Sequence, residues 1–250
     1  MSNEPRVFIV TPAWKRYDVS KIVFSNFFNI KKILKNKMDL QVVVIANDLN
    51  LKIAKSFGFS AVRSNNDFLG KKFNDGYEFA FKNGAEIAIP VGSDSLITSD
   101  IIGSSVNMSR EDNIVFSSMH SVIREDGKSI GAIKTASSSG NMNKGALWLY
   151  RRGMMKKRGF RPCADNIGSG CDRSTIAGLL KKSKISFVLN DINFYQHVGI
   201  KSKNLQICKY SDYKSQFVTQ KSNLYDILEK SFSKEIVAEV RAYYAKQRSL

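Results

Sequence analysis

Three side chains in this sequence stand where chemistry is as natural as packing. Asp94 lies in "EIAIPVGSDSLITSD", residues 86–100, where an apolar run ends in Gly92-Ser93-Asp94-Ser95 and then resumes. A carboxylate at the end of a buried strand either caps the next helix or holds a cation. Asp172, in "GSGCDRSTIAGLLKK", opens a helical pattern and is a natural N-cap. The same position keeps a carboxylate ionised, so it suits a general base that takes a proton from a hydroxyl nucleophile, with Asp165 as the fallback. His197, in "YQHVG", is one of only two histidines, and a neutral imidazole is a metal ligand when it is not simply a buried structural group.

The elements that must position these groups alternate through the first half. "RVFIVT" (6–11) reads as a strand, and apolar residues recur at helical spacing from Asp18 to Lys37. "LQVVVIAND" is a second strand whose continuous apolar run implies burial on both faces. A short helix over 51–57, a strand in "SAVRS", a helix over 71–83 and a strand in "EIAIPV" follow, then a helix over 98–108. Such alternation is the pattern of a mostly parallel, doubly wound α/β sheet. Beyond residue 110 the pattern is less regular. "NIVFSSMHSVI" reads as one strand before a turn at Asp126-Gly127, and "KTASSSGNMNKG" as a polar loop. "ALWLYRRGMMKK" begins as a strand and ends as a helix. Residues 159–171 read as a loop, 172–182 as a helix, "ISFVL" as a strand and 223–247 as one long amphipathic helix.

In an open α/β sheet, ligands bind outside the carboxyl ends of the strands. The loops after the first, second and fourth strands are "PAWKR", "NDLN" and "GSDS", which gathers Trp14, Lys15, Arg16, Asp48 and Asp94 around one crevice. A carboxylate facing two cations and an aromatic ring suits a nucleotide whose phosphates are held by a metal. No G-x-G-x-x-G follows the first strand and no G-x-x-x-x-G-K-[ST] occurs, which argues against dinucleotide and P-loop readings.

The order "IVTPAWKR", "VVVIAND", "NDGYEFAFKNGAEIAIPVGSDSLI" resembles the nucleotide-binding half of GT-A fold glycosyltransferases, close to family 2. "GALWLYRRGMMKKRGF", "GSGCDRSTIAGLLKK" and "NFYQHVGIKSKN" resemble the acceptor-side, catalytic-base and late His-containing segments, so the likeness spans about residues 6–204. The resemblance implies a GT-A domain over 1–210, with 1–110 the nucleotide-sugar half, 111–210 the acceptor half, and 211–250 a C-terminal helical extension. It implies that Thr11, Pro12, Trp14, Arg16, Asp48, Lys72, Asn74, Ser93, Asp94 and Lys203 meet the sugar nucleotide, with Lys201 beside Lys203 as a second point charge for the diphosphate unless both are simply solvated. Asp94 and His197 would hold Mn²⁺ or Mg²⁺, with Asp172 as the base of an inverting transfer. Arg151, Arg152, Lys156, Lys157, Arg158 and Arg173 would flank the acceptor. In one respect the chain departs from the family: Gly92 stands where an aspartate that contacts ribose is expected.

Charge bears on the partner. The chain carries 39 Lys and Arg against 22 Asp and Glu, a net +17. Residues 111–250 hold 24 basic and 12 acidic side chains, so the excess sits in the half expected to bind acceptor. Such a field attracts polyanions, namely nucleic acid, an anionic membrane face or an anionic glycan, unless it is only a solvated lysine-rich surface. The favoured expectation is a glycosyltransferase using a uridine-linked donor on a hydroxymethylated pyrimidine in phage DNA, which must be flipped out to react. The alternatives are a lipid-linked or surface glycan acceptor and a non-catalytic nucleic-acid-binding module. Nucleotidyl transfer is disfavoured because no second acid matches two-metal chemistry. No run of about 18 apolar residues argues for a membrane span, and "MSNEPRVFIVTP" does not read as a signal peptide. Cys163, Cys171 and Cys208 have no metal-ligand spacing and read as reduced thiols of a cytoplasmic protein.

Overall fold

The computed structural model describes residues 4–134, 146–181, 184–202 and 209–249. The chain alternates β1 (Arg6–Pro12), α1 (Tyr17–Leu34), β2 (Asp39–Ala46), α2 (Asn50–Ser56), β3 (Ser60–Arg63), α3 (Leu69–Lys82) and β4 (Ile87–Pro90). Then follow β5 (Ser95–Ile97), α4 (Ser99–Met108), β6 (Asn113–Ser117), β7 (Met119–Ile123), β8 (Ile130–Lys134), β9 (Ala146–Arg151), α5 (Arg152–Lys156) and α6 (Cys171–Leu180). The chain continues as β10 (Ser186–Asn190), β11 (His197–Ile200), a 3₁₀ turn at Tyr210–Gln216, β12 (Phe217–Lys221), α7 (Leu224–Leu228) and α8 (Lys234–Arg248).

A seven-stranded sheet, ordered β10-β6-β9-β4-β1-β2-β3, forms the spine. β1 pairs in parallel with β2 and β4, β2 with β3, and β6 with β10, whereas β9 runs antiparallel between β4 and β6. Helices cover both faces, which is why β2 reads as an unbroken apolar run. Leu40, Val42 and Val44 face one core with α1, α4 and α8, while Val43 and Ile45 face the other with α3 and α6. The expected α/β architecture is therefore the one observed, with α8 packed against α1 at the C-terminal end.

A second, five-stranded sheet, ordered β12-β8-β7-β11-β5, stands at the carboxyl edge of the first. The single strand expected over residues 113–123 is two, one in each sheet. The chain leaves the first sheet at the buried Ser118, whose N–H donates to Asn190 O at 3.0 Å while its hydroxyl accepts from Ile192 N at 3.1 Å. The single C-terminal helix is also two, because Ser233 caps a new start by accepting from Ile236 N at 3.4 Å. Residues 211–250 contribute a strand as well, β12, paired antiparallel with β8. Cys163 and Cys171 are buried free thiols, and Cys208 lies outside the described residues.

Candidate active site

The C-terminal ends of β1, β2 and β4 fall on one edge, as their register requires: Val10 lies opposite Pro90, and Pro12 opposite Ile45. The second sheet closes the far side and leaves a crevice of about 510 Å³. Of the residues singled out in the sequence, Pro12, Arg16, Ser93, Asp94, Asp172 and His197 line it. His120 from β7, Trp148 from β9, and Lys201 and Tyr213 from the segments after β11 line it too.

Asp94 is the hub of one end. Arg16 Nη1 lies 3.0 Å and Lys201 Nζ 3.6 Å from the same oxygen, Oδ2, while Ser95 Oγ sits 3.4 Å from Oδ1. Burial pushes this carboxyl's pKa up, but the charges on Lys201 and Arg16 outweigh it and hold the group ionised, well below the usual carboxylate range. Gly92 has a steric reason to be glycine. A Cβ there would fall 2.8 Å from Asp94 Oδ1 and 3.3 Å from Ser95 Oγ, so the missing side chain leaves room for the carboxylate to turn inward.

Arg16 reaches Asp94 through a strained loop. Lys15 and Arg16 have φ of 49° and 46°, a left-handed conformation that costs non-glycine residues about 1 kcal/mol or more each. Neighbouring side chains hold it. Asp48 Oδ2 accepts from Lys15 N at 2.8 Å, Asn50 Nδ2 donates to Lys15 O at 3.1 Å, and Lys72 Nζ donates to Ala13 O at 2.7 Å. Lys72 is buried, which brings its pKa down to about 8 against the pull of Asp48. Asp48 and Lys72, expected at the nucleotide, thus serve the loop that presents Arg16. Trp14 is 44% exposed with Lys15 Nζ 4.8 Å above its ring, and Thr11 is buried with its hydroxyl unpaired among the described residues.

His197 and His120 meet across β11 and β7, Nδ1 to Nδ1, at 3.4 Å. Burial lowers both pKa values, that of His197 to about 4, with Lys201 reinforcing and Asp94 opposing the shift. Both rings are therefore neutral at pH 7 and one N–H is shared between them. His120 carried no signal beyond being the second of two histidines; only the pairing of β11 between β5 and β7 brings it here.

Asp172 is the second residue of α6, after Cys171; Gly170, with φ of 68°, is the N-cap, so Asp172 lies in the first turn and does not cap the helix as expected. The residue is exposed and lines the crevice, and desolvation there raises its pKa to about 6. The loop before it is clamped to α3. Asn74 Nδ2 donates to Cys163 O and to Asp165 Oδ1 at 2.7 Å, and Arg161 bridges Asp75, Glu78 and Asp165 at 2.9–3.0 Å. Asn74 is thus bound to this loop, and Asp165, the fallback base, lies outside the crevice lining. Arg173 follows Asp172 and is exposed.

The basic run expected beside the acceptor begins at the opposite edge of the sheet from Asp94. β9 is antiparallel to β4, with Arg151 opposite Ile87, so β9 starts at the crevice and ends at the opposite edge of the sheet. Arg151 binds Ser109 Oγ at 3.0 Å, and Arg152 Nη1 donates to Phe81 O and Ala85 O at 2.6 and 3.0 Å. Lys156, Lys157 and Arg158 follow at that far edge, away from Asp94. Lys203 lies outside the described residues.

Asp94 and His197 fit a divalent cation in part. A carboxylate held ionised and an imidazole held neutral are both available as ligands at pH 7, but among the described residues no group of three or more His, Cys, Asp or Glu is assembled around one point. A cation there would need its remaining positions filled by oxygens of a bound ligand.

No protein-family model matches the chain, and no curated protein does. Solved structures do. TarS from S. aureus, in complex with UDP, is 14% identical with a TM-score of 0.51, covering 92% of this chain and 73% of that one. Glucosyl-3-phosphoglycerate synthase from Mycobacterium tuberculosis, in complex with Mn²⁺, UDP-glucose and phosphoglyceric acid, is 10% identical with a TM-score of 0.52, covering 81% and 73%. The inositol-1-phosphate CTP transferase from T. maritima is 12% identical with a TM-score of 0.51, covering 94% and 99%. At these identities the likeness establishes the fold, the GT-A and nucleotidyltransferase-like α/β architecture. Among the described residues, no helix is long and apolar enough to cross a membrane.

Proposed function

We propose that the chain is a glycosyltransferase that moves a sugar from a nucleoside diphosphate donor to a hydroxyl acceptor in the crevice between Asp94 and Asp172. The observation that carries this reading is the division of labour between these two carboxylates. Asp94 is kept ionised among cations at the strand ends. Asp172, raised to about 6, is poised to accept a proton near neutral pH.

Arg16 and Lys201 would bind the diphosphate and stay against it as charge builds on the leaving group. Asp172 would take the acceptor hydroxyl's proton as the oxygen attacks the anomeric carbon from the face opposite the leaving group, so the transfer inverts configuration. Trp148 and Phe73, which line the crevice, would exclude water from the reacting centre. Asp94 and His197 would hold Mn²⁺ or Mg²⁺, which when bound supplies Lewis-acid stabilisation to the departing diphosphate. The two fold relatives seen with uridine nucleotides favour a uridine-linked donor. Nucleotidyl transfer, which the fold also hosts, is the weaker reading, because it calls for a second acid beside the first metal ligand and Asp172 stands apart on α6. A DNA acceptor loses its main support with the basic run at the far edge.

Incubation with Mn²⁺ and a panel of sugar nucleotides tests the reading. Slow release of nucleoside diphosphate from one donor, abolished by Asp94→Ala, is expected. Pyrophosphate release from a nucleoside triphosphate, or neither turnover nor thermal shift with any donor, would overturn it.

A further inference from the structure

We propose that Arg16 is a latch on Asp94 that makes divalent-cation binding conditional on a diphosphate. The inference rests on the transferase reading above and adds to it an order of assembly. The carboxylate expected to bind metal is already engaged, with two cations on one oxygen, Arg16 at 3.0 Å and Lys201 at 3.6 Å. A divalent ion arriving alone meets a locally positive site and must compete for the carboxylate it needs. A diphosphate reverses both conditions: it offers the cations better partners and brings oxygens that complete the coordination shell.

The two cations are not equivalent, and Arg16 is the one with room to move. The Lys201 side chain is 8% exposed, and its backbone carbonyl accepts from Tyr244 Oη at 2.9 Å, which ties it to α8. Arg16 borders two spaces: the crevice and a second cavity of about 220 Å³ lined by Tyr17, Asp18, Ser202 and Tyr243. The guanidinium can swing between them. Its Nε is buried without a hydrogen-bond partner among the described residues, so a donor is unused there while Arg16 sits on Asp94 and is available to meet a phosphate oxygen. The left-handed backbone at Lys15 and Arg16 is clamped by Asp48, Asn50 and Lys72, so the motion belongs to the side chain. The coupling is reciprocal: the factor by which diphosphate raises metal affinity is the factor by which metal raises diphosphate affinity.

Equilibrium dialysis at matched free Mn²⁺ measures protein-bound metal directly, as the excess on the protein side over the small Mn²⁺–pyrophosphate complex, with inorganic pyrophosphate as the anion and no turnover needed. Wild-type protein should bind Mn²⁺ alone at least about tenfold more weakly than with saturating pyrophosphate. Arg16→Gln should bind Mn²⁺ alone about tenfold more tightly than wild type, with a thermal melt to confirm that it is folded. Equal wild-type affinity with and without pyrophosphate, or no gain in the folded variant, would overturn the latch and leave the metal–diphosphate site standing. Absence of binding in every combination would overturn both. If that variant does not fold, Arg16→Met, which keeps the apolar stem and loses the charge, is read in the same way.

Discussion

Arg16 Nη1 lies 3.0 Å from Asp94 Oδ2, joining the loop after β1 to the end of β4 across 78 positions of sequence. The contact exists because Gly92 leaves the carboxylate room to turn, its own Cβ position being 2.8 Å from Asp94 Oδ1. Gly92→Ala should therefore disturb the site and spare the fold, since the atom that must give way is the end of a side chain. The expected result is stability within about 1 kcal/mol of wild type in urea melts and Mn²⁺–nucleotide affinity about tenfold weaker, or about 1.4 kcal/mol. Unchanged affinity would mean that Asp94 does not need this orientation.

Asp172 should behave as a base and not as a binding group. Asp172→Asn is expected to lower kcat by about 100- to 10,000-fold while leaving nucleotide affinity, measured by calorimetry, as in wild type. Because the folded pKa is raised to about 6, the carboxyl is protonated below that pH. The wild-type kcat/KM should then fall about tenfold per pH unit on the acid side, a limb that Asp172→Asn lacks.

The buried histidines make the fold sensitive to mild acid. His197 takes up a proton near pH 6.5 when unfolded but only near about 4 when folded, so its contribution is intact above 6.5 and is lost as pH falls towards 4. That amounts to about 3 kcal/mol. Urea melts of wild type against His197→Gln should diverge over this window, the variant losing less. Parallel curves would show that His197 is not held neutral by burial.

The far-edge cations should be dispensable for chemistry. Reversing Lys156, Lys157 and Arg158 together to glutamate should leave transfer to a small acceptor within about twofold of wild type, since α5 and its C-terminal end lie at the opposite edge of the sheet from Asp94. A large loss would return these residues to the acceptor site.

Sequence alone revealed the spine and one side of the site. The both-face burial of β2 and the small, polar strand end at Asp94 are local patterns, and they set Arg16 and Asp94 at one sheet edge; Asp172 and His197 were singled out through the resemblance to GT-A transferases, and the fold brings them to the same crevice. The second sheet was hidden because its strands are short; "SLI" and "HVGI" carry too few residues to show a period. With that sheet went His120, which nothing in "SSMHSVI" marks. Charge misled where direction mattered. "YRRGMMKKR" is basic wherever it sits, and only the antiparallel pairing of β9 with β4 sends it away from the crevice. Asp48, Lys72 and Asn74 were found at the right edge, yet they bind backbone and neighbouring side chains there.

The metal–nucleotide site at Asp94 is tested by calorimetric titration of uridine diphosphate into the protein with Mn²⁺, wild type beside Asp94→Asn. Saturable binding by the wild type, lost or at least about a hundredfold weaker in the variant, is the predicted result. Equal binding by the two proteins, or no binding of the nucleotide by either, would contradict it.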